Sequence, residues 1–405
     1  MADVALAIEG VGRRGEGVAR TGGRTVFVPY TLPDEEVTAE GAGERLSLTA
    51  VVTASPDRVA PFCRHYGRCG GCQLQHWREQ PYRSWKASLV SGALKARSFE
   101  AAVADCIDAH GAGRRRVALH VRKRNGVVTA GYMAARSHTL LDIGHCPVLE
   151  PALERAFDIA RALGATLGDC DVGVTATRAG PDVSVKAGRD VLAREHGSLA
   201  SFVNALKLAR LSVNGEVIAS AAAPRVQLGK ATVALPPGGF LQATAQGEET
   251  LARLVVDALG KARNAADLFC GIGPFAFRIA ERARVAAYDN DRPAIAALNA
   301  AIKATSGLKP MTAAVRDLFR EPLAPGEMEG LDAVVFDPPR AGAEAQARQL
   351  ARSKVKTAVA VSCDPVTFAR DAEILIGGGF SLKQVTAVDQ FKYSSHVEVV
   401  ARFTR

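Results

Sequence analysis

The sequence predicts an α/β fold built on a mainly parallel sheet, preceded by a small all-β barrel and a central α+β region. Three observations predict it. From residue 233 onward, near-continuous apolar runs alternate with helical patterns, as in "NAADLFCGIGPFAFRIAERA" and "RVAAYDNDRPAIAALNAAIKA"; strands read this way when helices cover both faces of a parallel sheet. Residues 1–54 hold only short alternating runs separated by Gly, Pro and acidic turns. Residues 55–232 mix a cysteine cluster, a helical stretch and a basic β-meander. A chain of 405 residues, 48% hydrophobic and 23% charged, is neither disordered nor fibrous and has room for two or three domains. The expected boundaries are therefore 1–54, 55–232 and 233–405.

The start "MADVALAIEG" lacks a basic stretch followed by an apolar run, and no run of about 18 apolar residues occurs, so a soluble cytoplasmic protein is expected, acting as a monomer. Eight unevenly spaced cysteines point to reduced thiols, metal ligation or catalysis rather than disulfides. A formal charge of +9 and a pI near 9.2 suggest a polyanionic partner.

In the N-terminal part, "VALAIEG", "GEGVART", "RTVFVPY", "EEVTAEGAG" and "LSLTAVVTAS" read as the strands of a small barrel. The stretch "GRRGEGVARTGGRTVFVPYTLPDEEV" resembles the TRAM domain, an OB-like RNA-binding barrel. That resemblance implies phosphate contacts from Arg13, Arg14, Arg20 and Arg24.

The central region opens with "CRHYGRCGGCQLQHW", which holds Cys63, Cys69 and Cys72. Three sulfurs are one short of a closed tetrahedral site. His65 or His76 would complete a zinc site, and Cys146 in "DIGHCPVLEP", a remote cysteine followed by proline, would complete an iron-sulfur site. "YRSWKASLVSGALKAR" reads as a helix. The following meander is expected to carry Arg114, Arg115, Arg116, Arg122, Lys123 and Arg124 on one face, toward phosphate or simply toward solvent.

In the last region "DLFCGIG" puts Gly271 and Gly273 in the turn after the first strand, where a missing Cβ lets the backbone approach a ligand. Asp289 ends the next strand, Asp317 follows the third and Asp337 ends the fourth, in "FDPPR". This succession resembles the Rossmann-like class I S-adenosylmethionine methyltransferases. The resemblance implies that Asp267 orients the glycine loop, Phe269 and Pro274 line it, Asp289 binds ribose and Asp317 lies near adenine.

Cys363 in "AVAVSCDPVTFARD" sits past an apolar strand and before a helix start, a place that lowers a thiol pKa. Glu398 in "SSHVEVVARF" is a glutamate among valines, costly to bury unless it faces a cleft. A thiolate and a carboxylate suit methylation at carbon 5 of uracil, where addition of sulfur to carbon 6 makes carbon 5 nucleophilic and a base then removes its proton.

"DLFCGIGPF", "FDPPRAG", "VSCDP" and "DQFKYSSHVEVV" match in order the motifs of the RNA uracil-5-methyltransferase family, and with the barrel and the cysteines the resemblance covers nearly the whole chain. It implies Cys363 as nucleophile, Glu398 as base, Gln242 in "PPGGFLQATAQGEE" as a cofactor contact, and Asp337 beside cofactor and target base. Arg340 is structural or reaches the RNA. The same family carries a [4Fe-4S] cluster on cysteines spaced as Cys63, Cys69, Cys72 and Cys146, which leaves Cys106, Cys170 and Cys270 as structural. Asp364, Asp289, Pro274 and Asp317 depart from the commoner pattern. A carboxylate at Asp364 would raise the Cys363 pKa, and it is expected to point away and cap the following helix. The target base must be flipped out or unpaired, with Phe240, Phe391 and Tyr393 as stacking candidates or core residues. Barrel and cysteines together resemble the branch acting on 23S ribosomal RNA, with tRNA as the alternative substrate. A non-catalytic RNA-binding factor, a cytosine-5-methyltransferase and a dehydrogenase are the rival readings.

Overall fold

A computed structural model describes residues 3–405. The N-terminal barrel forms from two three-stranded antiparallel sheets: Val4–Ala7, Glu36–Glu40 and Ser47–Thr53 in one, Gly10–Val11, Glu16–Thr21 and Arg24–Pro29 in the other. Alternation puts Leu6, Ala19, Val26, Val28, Val37 and Ala39 inside. Gly22 and Gly23, both at positive φ, supply the two-residue turn that joins the central hairpin with the right twist. Arg13, Arg14, Arg20 and Arg24 all lie on the exposed surface.

The central sheet has seven strands in the order Leu140–Asp142, Val127–Met133, Arg116–Arg124, Cys170–Thr177, Gly180–Ala187, Arg210–Val213 and Glu216–Ser220. Helices Ala156–Leu167 and Ala193–Ala205 pack against it through one continuous apolar core. The basic run does not form one phosphate-facing row. Pleating splits Arg122 and Arg124 from Lys123; the two arginines pair with Asp169, at 3.9 and 2.8 Å, while Lys123 caps the carbonyl of Ala165. Arg114, Arg115 and Arg116, at the other end of the strand, turn toward the C-terminal domain. Arg115 is buried against Glu248 at 2.6 Å and donates through Nε to the carbonyl of Gln242.

The C-terminal sheet has eight strands, seven of which we number β1 (Asn264–Leu268), β2 (Arg284–Asp289), β3 (Met311–Val315), β4 (Ala333–Phe336), β5 (Thr357–Ser362), β6 (Ser381–Asp389) and β7 (Glu398–Thr404). Their order is β3-β2-β1-β4-β5-β7-β6, with β7 antiparallel to both neighbours and the rest of the β1–β5 ladder parallel. Two large apolar cores, one on each face, explain why these strands read as unbroken hydrophobic runs. Part of this assembly comes from far upstream. Strand Ile107–Asp108 pairs in parallel with the end of β6, and helix Glu79–Lys95 packs on β6 and on helix Pro365–Gly377. Lys86 of that upstream helix, completely buried, meets Asp389 at 2.7 Å. Among the described residues no helix is long and apolar enough to cross a membrane.

Candidate active site

The carboxyl ends of β1, β2 and β4 open onto a cavity of about 530 Å³, large enough for a nucleoside-sized cofactor. Phe269, Gly271 and Pro274 line it from the turn after β1, Asp289 from the end of β2, Asp337 from the end of β4, and Gln242 from the loop before helix Ala245–Leu259. Gly271 has φ +52 and no atom within 4 Å of where a Cβ would stand, so the loop presents bare backbone to the cavity.

Two expected contacts sit differently. Gly273 turns inward, where a Cβ would come within 2.8 Å of Leu298, so it serves packing of the loop rather than the cavity. Asp317 is not on the cavity wall; its Oδ1 accepts the N–H groups of Phe319 and Arg320 and presents Phe319, which does line the cavity. Asp289 is at the wall, and its two oxygens already accept the N–H groups of Gly271 and Asp291 at 2.8 Å each, so it organises the glycine turn as well as facing the cavity. Asp267 lies completely buried beneath the turn, and burial pushes its carboxyl up to about 8 against the lowering pull of the Ala276 backbone N–H.

Cys363, Glu398 and Arg340 line the same cavity. Cys363 follows β5, and Glu398 opens β7 with its Oε1 accepting from Gln390 Nε2 at 3.0 Å. Burial raises Glu398 to about 7, and the Gln390 amide, Lys86 and Arg340 pull the other way. The helix after Cys363 does not make its thiol acidic: burial first, then the charges of Glu398 and Asp337, push it up to about 12, with Arg340 opposing. Asp364 faces the following helix. Its Oδ1 caps the helix by accepting from Val366 and Thr367 at 2.8 and 3.1 Å, as the sequence suggested.

Phe240 and Phe391 stand at the cavity, Phe240 largely exposed with Arg116 over its ring and Phe391 under Arg114. Tyr393 does not reach it; it stacks on Tyr82 and edges Phe62. None of the three is a core residue. Sequence reasoning passed over Gln390, Lys86 and Phe319. Gln390 lies inside a quoted motif, yet no local spacing reveals that it touches both Gln242 and Glu398.

The cysteine loop docks on the central sheet through Gly70 N to Met133 O at 3.2 Å and Ala135 N to Arg68 O at 2.9 Å. Cys69 and Cys146 both pack on the core of that sheet, and the thiols of Cys69, Cys72 and Cys146 are each raised by burial and, further, by neighbouring cysteine charge, Cys63 included. Among the described residues no group of three or more His, Cys, Asp or Glu side chains is gathered closely enough to hold a metal ion. Cys106, Cys170 and Cys270 are buried, Cys270 at the edge of the cavity.

The strand order, the bare glycine turn and the acidic strand ends define a class I methyltransferase. The profile of the tRNA (uracil-5-)-methyltransferase family matches residues 225–402, and that of the TRAM domain residues 4–40. An uncharacterized RNA methyltransferase of Brucella suis is 45% identical over 99% of this chain and 97% of its own. The 23S rRNA (uracil(1939)-C(5))-methyltransferase of Chromohalobacter salexigens is 32% identical over 99% of this chain and 89% of its own. A tRNA (uracil-54, C5)-methyltransferase of Pyrococcus abyssi, solved with S-adenosyl-L-homocysteine, superposes with a TM-score of 0.74 at 22% identity, covering 99% of this chain and 100% of that one. The chain therefore belongs to the S-adenosylmethionine-dependent RNA uracil-5-methyltransferase family.

Proposed function

We propose that the protein methylates carbon 5 of a uridine in 23S ribosomal RNA, with Cys363 as nucleophile and Glu398 as base. The observation that carries this reading is that both side chains share one cavity wall with Gln242, Phe269, Gly271, Pro274, Asp289 and Asp337, the residues that would hold the cofactor, while Asp317 acts from behind Phe319. When bound there, S-adenosylmethionine supplies an electrophilic methyl group. The Cys363 sulfur adds to carbon 6, which makes carbon 5 the nucleophile; after methylation, Glu398 takes the carbon 5 proton, the electron pair restores the ring double bond and the carbon–sulfur bond breaks. Phe240 and Phe391 would sandwich the extruded base, with Arg114 and Arg116 behind their rings. In this reading residues 1–54 track RNA, and 55–232 carry the cysteines and lend helix Glu79–Lys95 and strand Ile107–Asp108 to the sheet of 233–405, which performs the transfer, in a cytoplasmic monomer.

The relative acting on 23S rRNA supports the ribosomal substrate, and the archaeal likeness over the whole chain, barrel included, supports tRNA as the second reading. Incubation with 5-fluorouridine-substituted 23S rRNA fragments or tRNA and labelled cofactor tests both. Fluorine blocks proton removal, so a stable protein–RNA adduct should form with one RNA and vanish in Cys363→Ala; no adduct with either RNA, or an undiminished one in the variant, would sink the assignment.

The same reading gives Cys63, Cys69, Cys72 and Cys146 a [4Fe-4S] cluster. What supports it is donor chemistry: the thiols of Cys69, Cys72 and Cys146 are each raised by burial and further by the charge of another cysteine of the set, and soft sulfur donors suit iron-sulfur ligation. Anaerobically purified protein should be brown and lose its visible absorbance in Cys146→Ser; colourless protein with stoichiometric zinc refutes this.

A further inference from the structure

Gln390 joins the cofactor end of the cavity to its base end. It follows β6 and is completely buried, and three hydrogen bonds fix its amide. Oε1 accepts from the Ala243 N–H at 2.9 Å, and Nε2 donates to Gln242 Oε1 at 2.6 Å and to Glu398 Oε1 at 3.0 Å. A backbone N–H can only donate, so Oε1 must face Ala243 and the flipped amide is excluded. That choice propagates along the chain of side chains. With its Oε1 occupied by a donor, Gln242 has its Nε2 left for Asp337 Oδ2, at 3.2 Å. One peptide N–H thus sets the direction of a relay that delivers one amide donor to each of two carboxylates. The peptide itself is held from outside, since its carbonyl, that of Gln242, accepts from Arg115 Nε at 3.0 Å, and the Arg115 N–H donates to the next carbonyl, that of Ala243, at 2.9 Å. Space for the relay comes from Gly247, where a Cβ would lie 2.7 Å from Gln390 Oε1.

We propose that Gln390 is a positioning residue for the proton-removal step, holding Oε1 of Glu398 so that Oε2 faces carbon 5 of the bound base, and tying that aim to Gln242 at the cofactor. This rests on the assignment of Glu398 as base. Oε2 makes no hydrogen bond among the described residues, and Glu398 lines the cavity. The groups facing Glu398 are Gln390 beside it, Lys86 from the upstream helix, Arg340 and Asp337 from the β4 turn, and Cys363 after β5. Of these, Gln390 alone donates a hydrogen bond to the carboxylate within the described residues. In the step, the carbon 5–hydrogen bond breaks toward Oε2, its electrons form the carbon 5–carbon 6 double bond, and the carbon 6–sulfur pair returns to Cys363.

Gln390→Met keeps the volume and deletes the relay. With ordinary, unfluorinated RNA and labelled cofactor at saturation, its single-turnover methyl transfer should slow less than release does. Release should slow by about 10- to 100-fold, the factor that a lost hydrogen bond to a charged group carries. A methylated, denaturation-resistant protein–RNA adduct should then accumulate, and the acid limb of the release rate should move to higher pH. The isosteric Gln390→Glu, placing a second carboxylate beside Glu398, should move that limb further, and circular dichroism checks that each variant is folded. Adduct in Glu398→Gln but none in Gln390→Met, or equal slowing of transfer and release, overturns the inference alone. Adduct in neither overturns the base assignment and the inference with it.

Discussion

Replacing Lys86 by methionine should destabilise the protein and blunt catalysis together, although Lys86 lies far from Glu398 in sequence and never reaches the cavity wall. Its ammonium is wholly buried, 2.7 Å from Asp389 Oδ1, and it also donates to the carbonyl of His396. Removing one partner of a buried ion pair leaves the other desolvated and uncompensated, at a cost of roughly 3–5 kcal/mol. Asp389 keeps two donors, the Tyr82 hydroxyl at 2.6 Å and the Phe391 N–H at 3.0 Å, so the lower end, about 3 kcal/mol, is the expected value. Chemical denaturation of wild type, Lys86→Met, Asp389→Asn and the double variant measures it. The double variant should recover much of the loss, because no unpaired charge remains. Lys86 also pulls the Glu398 carboxyl down, so the acid limb of activity should rise in pH in Lys86→Met even at temperatures where the fold is intact. A loss under about 1 kcal/mol, or a double variant no better than the singles, would refute the argument that this pair holds the loop as a unit.

Other outcomes follow from the same geometry. Glu398, raised from 4.5 to about 7, binds its proton more tightly folded than unfolded, so its contribution to stability is largest below the unfolded value and falls as pH rises toward 7, by about 3 kcal/mol in all; denaturation midpoints of Glu398→Gln should be flatter over that window and higher than wild type at pH 8. Product release should show the opposite trend, rising with pH through about 7 as the base ionises. Asp364→Ala removes the cap of helix Pro365–Gly377 and should cost about 1 kcal/mol by thermal melting, while Asp364→Asn should be nearly silent in stability. Gly273→Ala meets both a φ of +88 and Leu298 at 2.8 Å, so it should lower stability and cofactor affinity, read by melting and by calorimetric titration.

The catalytic sheet was legible because its strands are buried on both faces and each ends in a turn residue or carboxylate with a chemical reason to be there; "DLFCGIG", "FDPPR" and "VSCDP" all fall at strand ends. Cys363 and Glu398 could be singled out for the same reason, a reactive group where packing alone would not put one. The raised pKa of Cys363 was not legible, because burial dominates it and the two carboxylates that add to it arrive from the ends of β4 and β7. Asp317 shows a related limit: position after a strand brought it near the cavity, but its own local hydrogen bonds turned it to serve Phe319. Likewise the basic meander misled because alternation along Arg116–Arg124 is read correctly only once Asp169 is known to sit beside it. Gln390 was invisible for a stricter reason, since its partners Ala243 and Gln242 arrive from a segment about 150 positions away, brought close where Gly247 leaves room.

Helix Glu79–Lys95 and strand Ile107–Asp108 have a consequence for where this enzyme can be cut. The family profile begins at residue 225, yet the sheet it describes has its outermost strand and part of one cover encoded more than a hundred positions earlier. A fragment starting at 225 would expose the Val385 and Ala387 side of β6 and leave Asp389 without Lys86 or Tyr82. The methyltransferase body is thus discontinuous along the gene, with the central sheet threaded through it as an insertion. Shuffling or trimming that respects the linear boundaries of the profile would divide a single folding unit.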